Sequence, residues 1–312
     1  MNCTRNIQII ILYLLNALII IPSVFSLDWP SPFSTALSNF AFNDRGTPNR
    51  GIIFATDASV YACETGELIF VYTDFWGNTT NLKNIDQHRN RTLGNGTITT
   101  APLGTWLAIQ HRDGLIGIYS NVGPLDTEAV PHLIDTVVPI AQSGSTGWTG
   151  NSGFRFSIFD SKNTCYINPE IVINAKDTKA PIIRQVTLAG KDNQKYSLSQ
   201  IRTIRQGIYK LFVDAIDVSD LAASSSKFAP YQIRVFVNGV ETGYLFFDTI
   251  STKNGSHVIS LQKQTLLQNI FQQDGTYFID NLQLNRGKTI LEIIVVDASG
   301  NQRTAQYQII VE

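Results

Sequence analysis

The chain has 312 residues, a formal net charge of −1 and 16% charged residues. It carries no long run of one sign, so nucleic acid is not an expected partner. That length is a prior for two domains, and a 43% hydrophobic fraction is ample for two ordinary cores.

Arg5 is the lone positive charge ahead of an apolar run over residues 9–21, interrupted by Asn16. Pro22 follows, then Val24-Phe25-Ser26, with aliphatic and small residues at the positions a signal peptidase reads. Residues 1–26 are therefore expected to be a signal peptide, with a mature start at Leu27. The run falls short of the about 20 residues of a membrane span, so no stable span is expected after cleavage. Export also bears on the two remaining cysteines. Cys63 and Cys165 are a candidate disulfide, with a pair of unbridged thiols as the alternative, because sequence alone does not bring their Cα atoms together.

Aromatic and β-branched runs punctuated by turn residues predict an all-β fold. Asn43-Asp44-Arg45-Gly46 is a turn cluster. Asn49-Arg50-Gly51-Ile52-Ile53-Phe54 follows, and then Ser59-Val60-Tyr61-Ala62 and Gly66-Glu67-Leu68-Ile69-Phe70, expected as two strands around a tight glycine turn. Residues 74–100 are polar and glycine-rich, a loop or a hairpin with a long tip, and hold His88. Residues 103–122 read as two strands around Arg112-Asp113-Gly114, with His111 at the turn. Pro131, His132 and Pro139 belong to a glycine-free loop. Gly144-Ser145-Thr146-Gly147 then leads through Trp148 to the strand Phe154-Arg155-Phe156-Ser157-Ile158.

These pieces, over residues 40–170, resemble the lysostaphin/LytM-type zinc endopeptidases that cut peptidoglycan cross-links. In that family a Gly-Ser-Thr-Gly turn precedes a strand bearing His-x-His, an earlier segment carries His-x-Gly-x-Asp, and a later one ends Tyr-x-His-Leu. The resemblance places the metal ligands at Asn49, Ile53 and Phe156 and the catalytic groups at Asn121 and Phe154. None of these residues suits zinc, which takes thiolate, imidazole or carboxylate donors. His111 aligns with a histidine that does not bind the metal, and His88, His111 and His132 show no metal-binding spacing. The resemblance thus implies a degenerate member without a zinc cofactor, in which Phe154, Phe156 and Ile53 fill the old metal pocket. Tyr119, Trp148 and Arg155 are the candidate groove residues for a peptide or glycan.

Residues 173–181 form a polar linker ending in Pro181. Beyond it come strands at 208–214, 231–237, 244–247, 291–295 and 307–311, an Asn238-Gly239 hairpin turn, and a short helix near 266–272. The ending Val295-Val296-Asp297-Ala298-Ser299-Gly300-Asn301 resembles strands of bacterial surface modules. The expected architecture is a lysostaphin-like β-sandwich/barrel-sandwich hybrid over 27–172, then an immunoglobulin-like β-sandwich over 182–312. The function implied is a non-catalytic homologue of the peptidoglycan metalloendopeptidases, exported to a bacterial periplasm, envelope or medium. Its partners would be peptidoglycan or a cell-wall hydrolase. An active zinc enzyme with relocated ligands and a structural envelope module without wall affinity are the alternatives.

Overall fold

Side chains that alternate between two environments at a period of two set nearly every element of this chain. The structure, a computed structural model, describes residues 27–312 apart from 32–34, 45–46, 56–57, 74–100, 127–129, 148–152, 174–175, 193, 224–225 and 261–263. The expected signal peptide, the loop with His88, and Trp148 lie outside the described residues.

Up to residue 172 the strands are β1 (Thr35–Ser38), β2 (Asn43–Asp44), β3 (Thr47–Pro48), β4 (Ile52–Ala55), β5 (Ser59–Tyr61), β6 (Gly66–Tyr72), β7 (Thr105–Gln110), β8 (Leu115–Val122), β9 (Leu133–Ile134), β10 (Pro139–Gln142), β11 (Phe154–Asp160) and β12 (Cys165–Ile167). The rest are β13 (Ile182–Ala189), β14 (Lys195–Ser197), β15 (Thr203–Ile204), β16 (Gly207–Ile216), β17 (Gln232–Val237), β18 (Val240–Phe246), β19 (Thr249–Lys253), β20 (Ser256–Ile259), β21 (Thr265–Leu266), β22 (Tyr277–Leu284), β23 (Gly287–Val296) and β24 (Gln302–Val311). A single helical turn, Leu267–Ile270, stands between β21 and β22. The fold is all-β, and among the described residues no helix is long and apolar enough to cross a membrane.

The later strands form a sandwich. One sheet has the order β14-β13-β16-β22 and the other β15-β24-β23-β17-β18. Val186, Leu188, Leu211 and Val213 of the first sheet share one core with Ile233, Val235, Leu291, Ile293 and Val295 of the second. Burying each such side chain contributes about 1.5–3 kcal/mol. Asn238 (φ 51°) and Gly239 (φ 80°) join β17 to β18 as a two-residue hairpin, the left-handed geometry that Asn-Gly accepts.

The earlier strands build a large antiparallel sheet in which β7, β8, β11 and β12 are successive neighbours and β4 pairs with the first half of β11. β7 and β8 are joined through Asp113 (φ 59°) and Gly114 (φ 81°). The sheet does not stop at the expected linker. Cys165, Tyr166 and Ile167 of β12 pair with Ser251, Ile250 and Thr249 of β19, so the hairpin β19–β20 extends it from the far side of that segment. Phe228 also inserts into the core of the earlier half.

The expected hairpin around Gly66 does not form. β5 pairs with β10, whereas β6 pairs with β7 and β9. Gly66 serves close approach instead: a Cβ there would lie 2.4 Å from the Gln110 carbonyl oxygen and 2.8 Å from His111 Nδ1. Gly51 is tighter, since its Cβ would lie 2.0 Å from the Phe156 carbonyl oxygen. Gly51→Ala should therefore push β4 off β11 and cost about 1–3 kcal/mol, measurable as a lower midpoint in urea unfolding.

Candidate functional site

β11 lies at the centre of the resemblance, and its pleat sorts the expected site residues onto two faces. Phe154 and Phe156 point into the core and are 0% exposed. Phe154 stacks on Phe54 at 4.6 Å between ring centroids, and Phe156 packs against Tyr119 at 5.1 Å. The register pairs Phe154 with Phe54, Arg155 with Ile53, and Phe156 with Ile52. Residues directly opposite in an antiparallel pair share a face, so Ile53 shares one with Arg155 and not with the phenyl rings. The expectation that Phe154, Phe156 and Ile53 converge is corrected accordingly: a one-residue offset along a strand reverses the face.

The remaining expected residues are fixed by hydrogen bonds. Asn121 is buried with φ 62°, and its Nδ2 donates to the carbonyl oxygens of Thr146 at 2.9 Å and Pro102 at 3.3 Å. Thr146 Oγ1 donates to Val122 O at 2.8 Å and accepts from Thr105 N at 2.9 Å. Asn121 and the Gly-Ser-Thr-Gly turn thus clasp each other at the ends of β7 and β8. Asn49 donates to Ser38 Oγ at 2.8 Å. Tyr119 is no groove residue: its side chain lies wholly in the core, where its hydroxyl accepts the Cys63 N–H at 2.7 Å.

The candidate disulfide is also corrected. Cys63 and Cys165 are separate, buried free thiols. Burial pushes the Cys63 thiol up to about 12, which leaves it protonated and unreactive at neutral pH. His111 Nδ1 lies 3.1 Å from the Thr65 carbonyl oxygen and Nε2 lies 3.5 Å from Cys63 Sγ. A carbonyl can only accept, so Nδ1 carries the proton and Nε2 faces the thiol. Burial also lowers the His111 pKa, keeping the ring neutral. His132 forms an exposed pair with Glu67 at 2.9 Å.

The outer face of the sheet carries a different set of groups. Successive pairings place Tyr72, Trp106, Ser120, Arg155 and Ile53 in one row across β6, β7, β8, β11 and β4. Phe70 stacks on Trp106 at 4.4 Å. Phe70 and Tyr72 remain 45% and 39% exposed. Arg155 is half-buried, and its Nε is a buried donor without a hydrogen-bond partner. Burial, and then the neighbouring Arg50 guanidinium, lower the pKa of Arg155. Arg50 in turn donates from Nη2 to His257 Nε2 at 2.7 Å and lies 5.3 Å over the Tyr166 ring. Arg50, His257, Trp106, Phe70 and Tyr72 were not singled out by sequence reading. The only available cue was the polar Arg155 between two phenylalanines, which marks the outward side of that strand.

A second electrostatic centre lies away from this face. Carboxylate oxygens of Asp177, Asp217 and Asp297 all fall within 4.8 Å of one another, with Asp217 and Asp297 buried. Burial, then Asp297 and Asp177, push Asp217 up to about 7. Burial, partly opposed by the Asn39 hydrogen bond, pushes Glu170 up to about 8, and the three aspartates add to the rise. Oxygen donors of this kind could hold a hard divalent cation, and they lack the imidazole or thiolate of a usual zinc site.

One protein family matches the chain over residues 180–312, less than half its length. No curated protein matches it. Similar solved structures include M23-type and lysostaphin folds. The catalytic domain of the prophage-encoded M23 protein EnpA from Enterococcus faecalis is 16% identical, over 47% of this chain and 95% of that one, with a TM-score of 0.33. The SpoIIQ–SpoIIIAH pore-forming complex is 16% identical over 48% and 92%, with a TM-score of 0.35. Lysostaphin in solution is 10% identical over 91% and 96%, with a TM-score of 0.34.

Two outcomes follow from the geometry. Phe156→His, which places an imidazole at the position named by the resemblance, should gain no zinc affinity because the side chain points into the core. It should cost about 3 kcal/mol or more, as loss of a buried phenyl does, read by urea unfolding and by zinc titration. Asp217 and Glu170 give the pH dependence. A carboxyl whose folded pKa is raised above its unfolded value binds more protons in the folded chain between the two values. Their contribution is fully present below the ordinary values of 3.8 and 4.5 and is lost as pH rises through about 7 and about 8. With a chelator present, the melting temperature should fall from about pH 5 to pH 8, and Asp217→Asn should flatten that fall.

Proposed function

We propose that this chain is a non-catalytic homologue of the peptidoglycan metalloendopeptidases that acts in a bacterial envelope by binding the wall or a wall hydrolase. One observation carries this reading: the outer-face row of Tyr72, Trp106, Ser120, Arg155 and Ile53 joins the strands of the resemblance yet carries phenol, indole, guanidinium and alkyl groups around a buried Ser120. A zinc hydrolase needs three protein donors and an open fourth position where bound water becomes a nucleophile. A guanidinium does the opposite, because it is always charged and repels a cation. The expected ligand positions Asn49 and Phe156 are engaged elsewhere, in a hydrogen bond to Ser38 and in the core. Among the described residues, the group that could hold a metal is the aspartate trio.

In this reading the outer face of the sheet serves contact and not chemistry. Exposed aromatic rings beside a fixed cation suit adhesion to a peptide or glycan surface. Purified mature chain should carry sub-stoichiometric zinc, be retained on insoluble peptidoglycan and release no soluble wall fragments. Metal analysis, a sedimentation pull-down and a turbidity assay check the three together. Stoichiometric zinc with chelator-sensitive wall lysis would overturn the reading, and absence of retention on the wall would favour the structural envelope module.

A further inference from the structure

We propose that Arg155 and Arg50 form a receptor for a carboxylate, and that its occupant is the free carboxylate of a peptide lying across the outer face of the sheet. The proposal rests on the wall-binding reading for the kind of ligand and deepens it by naming the recognised group.

Arg155 rises from β11 between Ile53 and Ser120, two uncharged neighbours. Its Nε is buried and makes no hydrogen bond. An unmade bond at a buried charged donor is among the costlier defects a fold can carry. Arg50 sharpens the problem, since it acts on Arg155 as a like charge. The partners of Arg50 supply no anion: His257 offers Nε2, and Tyr166 offers the face of its ring. His257 has its other nitrogen, Nδ1, 3.2 Å from Thr252 Oγ1. A neutral ring that accepts at Nε2 and donates at Nδ1 satisfies both contacts. Among the described residues, no carboxylate acts on Arg155 or on His257.

A carboxylate resolves this arrangement. It is planar, accepts through two oxygens and matches the fork of a guanidinium. Placed against the outer edge of the guanidiniums it would supply a counter-charge that no described carboxylate gives and would screen the two cations from each other. The rest of the row gives the direction of the chain attached to it. Trp106 and Tyr72 lie two and three strands from Arg155. At about 4.8 Å per strand they stand roughly 10 and 14 Å away, the reach of about three to four extended residues. The Phe70–Trp106 stack and Tyr72 form an exposed apolar shelf along that line. The shelf would hold the body of the peptide while the arginines hold its end.

The test is calorimetric titration of the mature chain with acetyl-alanyl-alanine as the free acid, with its C-terminal amide, and with inorganic phosphate. The free acid should bind, and the amide should bind roughly ten- to a hundredfold more weakly, the loss of one charge-assisted contact. Arg155→Met should lose the same factor for the acid. Arg50→Met should act in the same direction and keeps the question open to test where Arg155→Met unfolds, with near-ultraviolet circular dichroism as the check on folding. Equal binding of acid and amide, binding of neither, or binding unchanged in both variants overturns the receptor. Binding of phosphate without the peptide overturns it too, leaving an anion site that reads no peptide. Retention on peptidoglycan that both variants keep, together with no acid-selective binding, overturns the receptor and leaves wall binding intact. Acid-selective binding without wall retention leaves the receptor and overturns the wall.

Discussion

The pleat of β11 is the constraint on which the rest of this structure depends. The strand is held on both sides, by β8 along its length and by β4 and β12 in succession on the other edge. Its register therefore cannot slip without moving Phe154, Phe156 and Ile158 out of a core they fill completely. That packing fixes Arg155 and Ser157 on the opposite face as firmly as it fixes the rings. What the chain shows to its surroundings is a consequence of what it must hide.

The same constraint explains the glycines and the clasp around them. β4 approaches β11 so closely at Gly51 that a side chain there would collide with the Phe156 backbone. The Gly-Ser-Thr-Gly turn is drawn against the end of β8 by the Thr146 hydroxyl and by the Asn121 amide. Asn121 adopts a positive φ to do this, a conformation that asparagine tolerates better than most side chains. The motif that resembles an enzyme's signature is held here by side chain–backbone hydrogen bonds from Thr146 and Asn121.

Much of this was legible in the sequence, and the failures have physical causes. Asn238-Gly239 announced its hairpin because few other pairs accept two left-handed residues, and Arg112-Asp113-Gly114 announced the β7–β8 turn for a similar reason. That no imidazole stands at the aligned positions was legible as simple residue identity. The face of Ile53 was not, because only the register of β4 against β11 shows that it lies opposite Arg155 and not beside the phenyl rings. Gly66 was misread because glycine permits both a turn and a close approach, and only the partner strand tells them apart. Arg50 and His257 are 207 residues apart, and no local pattern could have joined them. The β12–β19 pairing that brings them together crosses a segment that reads as a linker, and long-range strand pairing leaves no periodicity behind.

A net charge near zero conceals two centres of opposite sign that meet burial in different ways. The carboxyl groups near Asp217 can shed their charge by taking up a proton, and burial drives them to do so near neutral pH. A guanidinium has no such escape, since it stays protonated throughout the range in which proteins live. The acidic centre can therefore reach electrical balance within the chain itself. Arg155 and Arg50 cannot, and no carboxylate among the described residues acts on Arg155. Opposed behaviour under the same burial separates a cluster that regulates stability from a cluster that calls for a ligand.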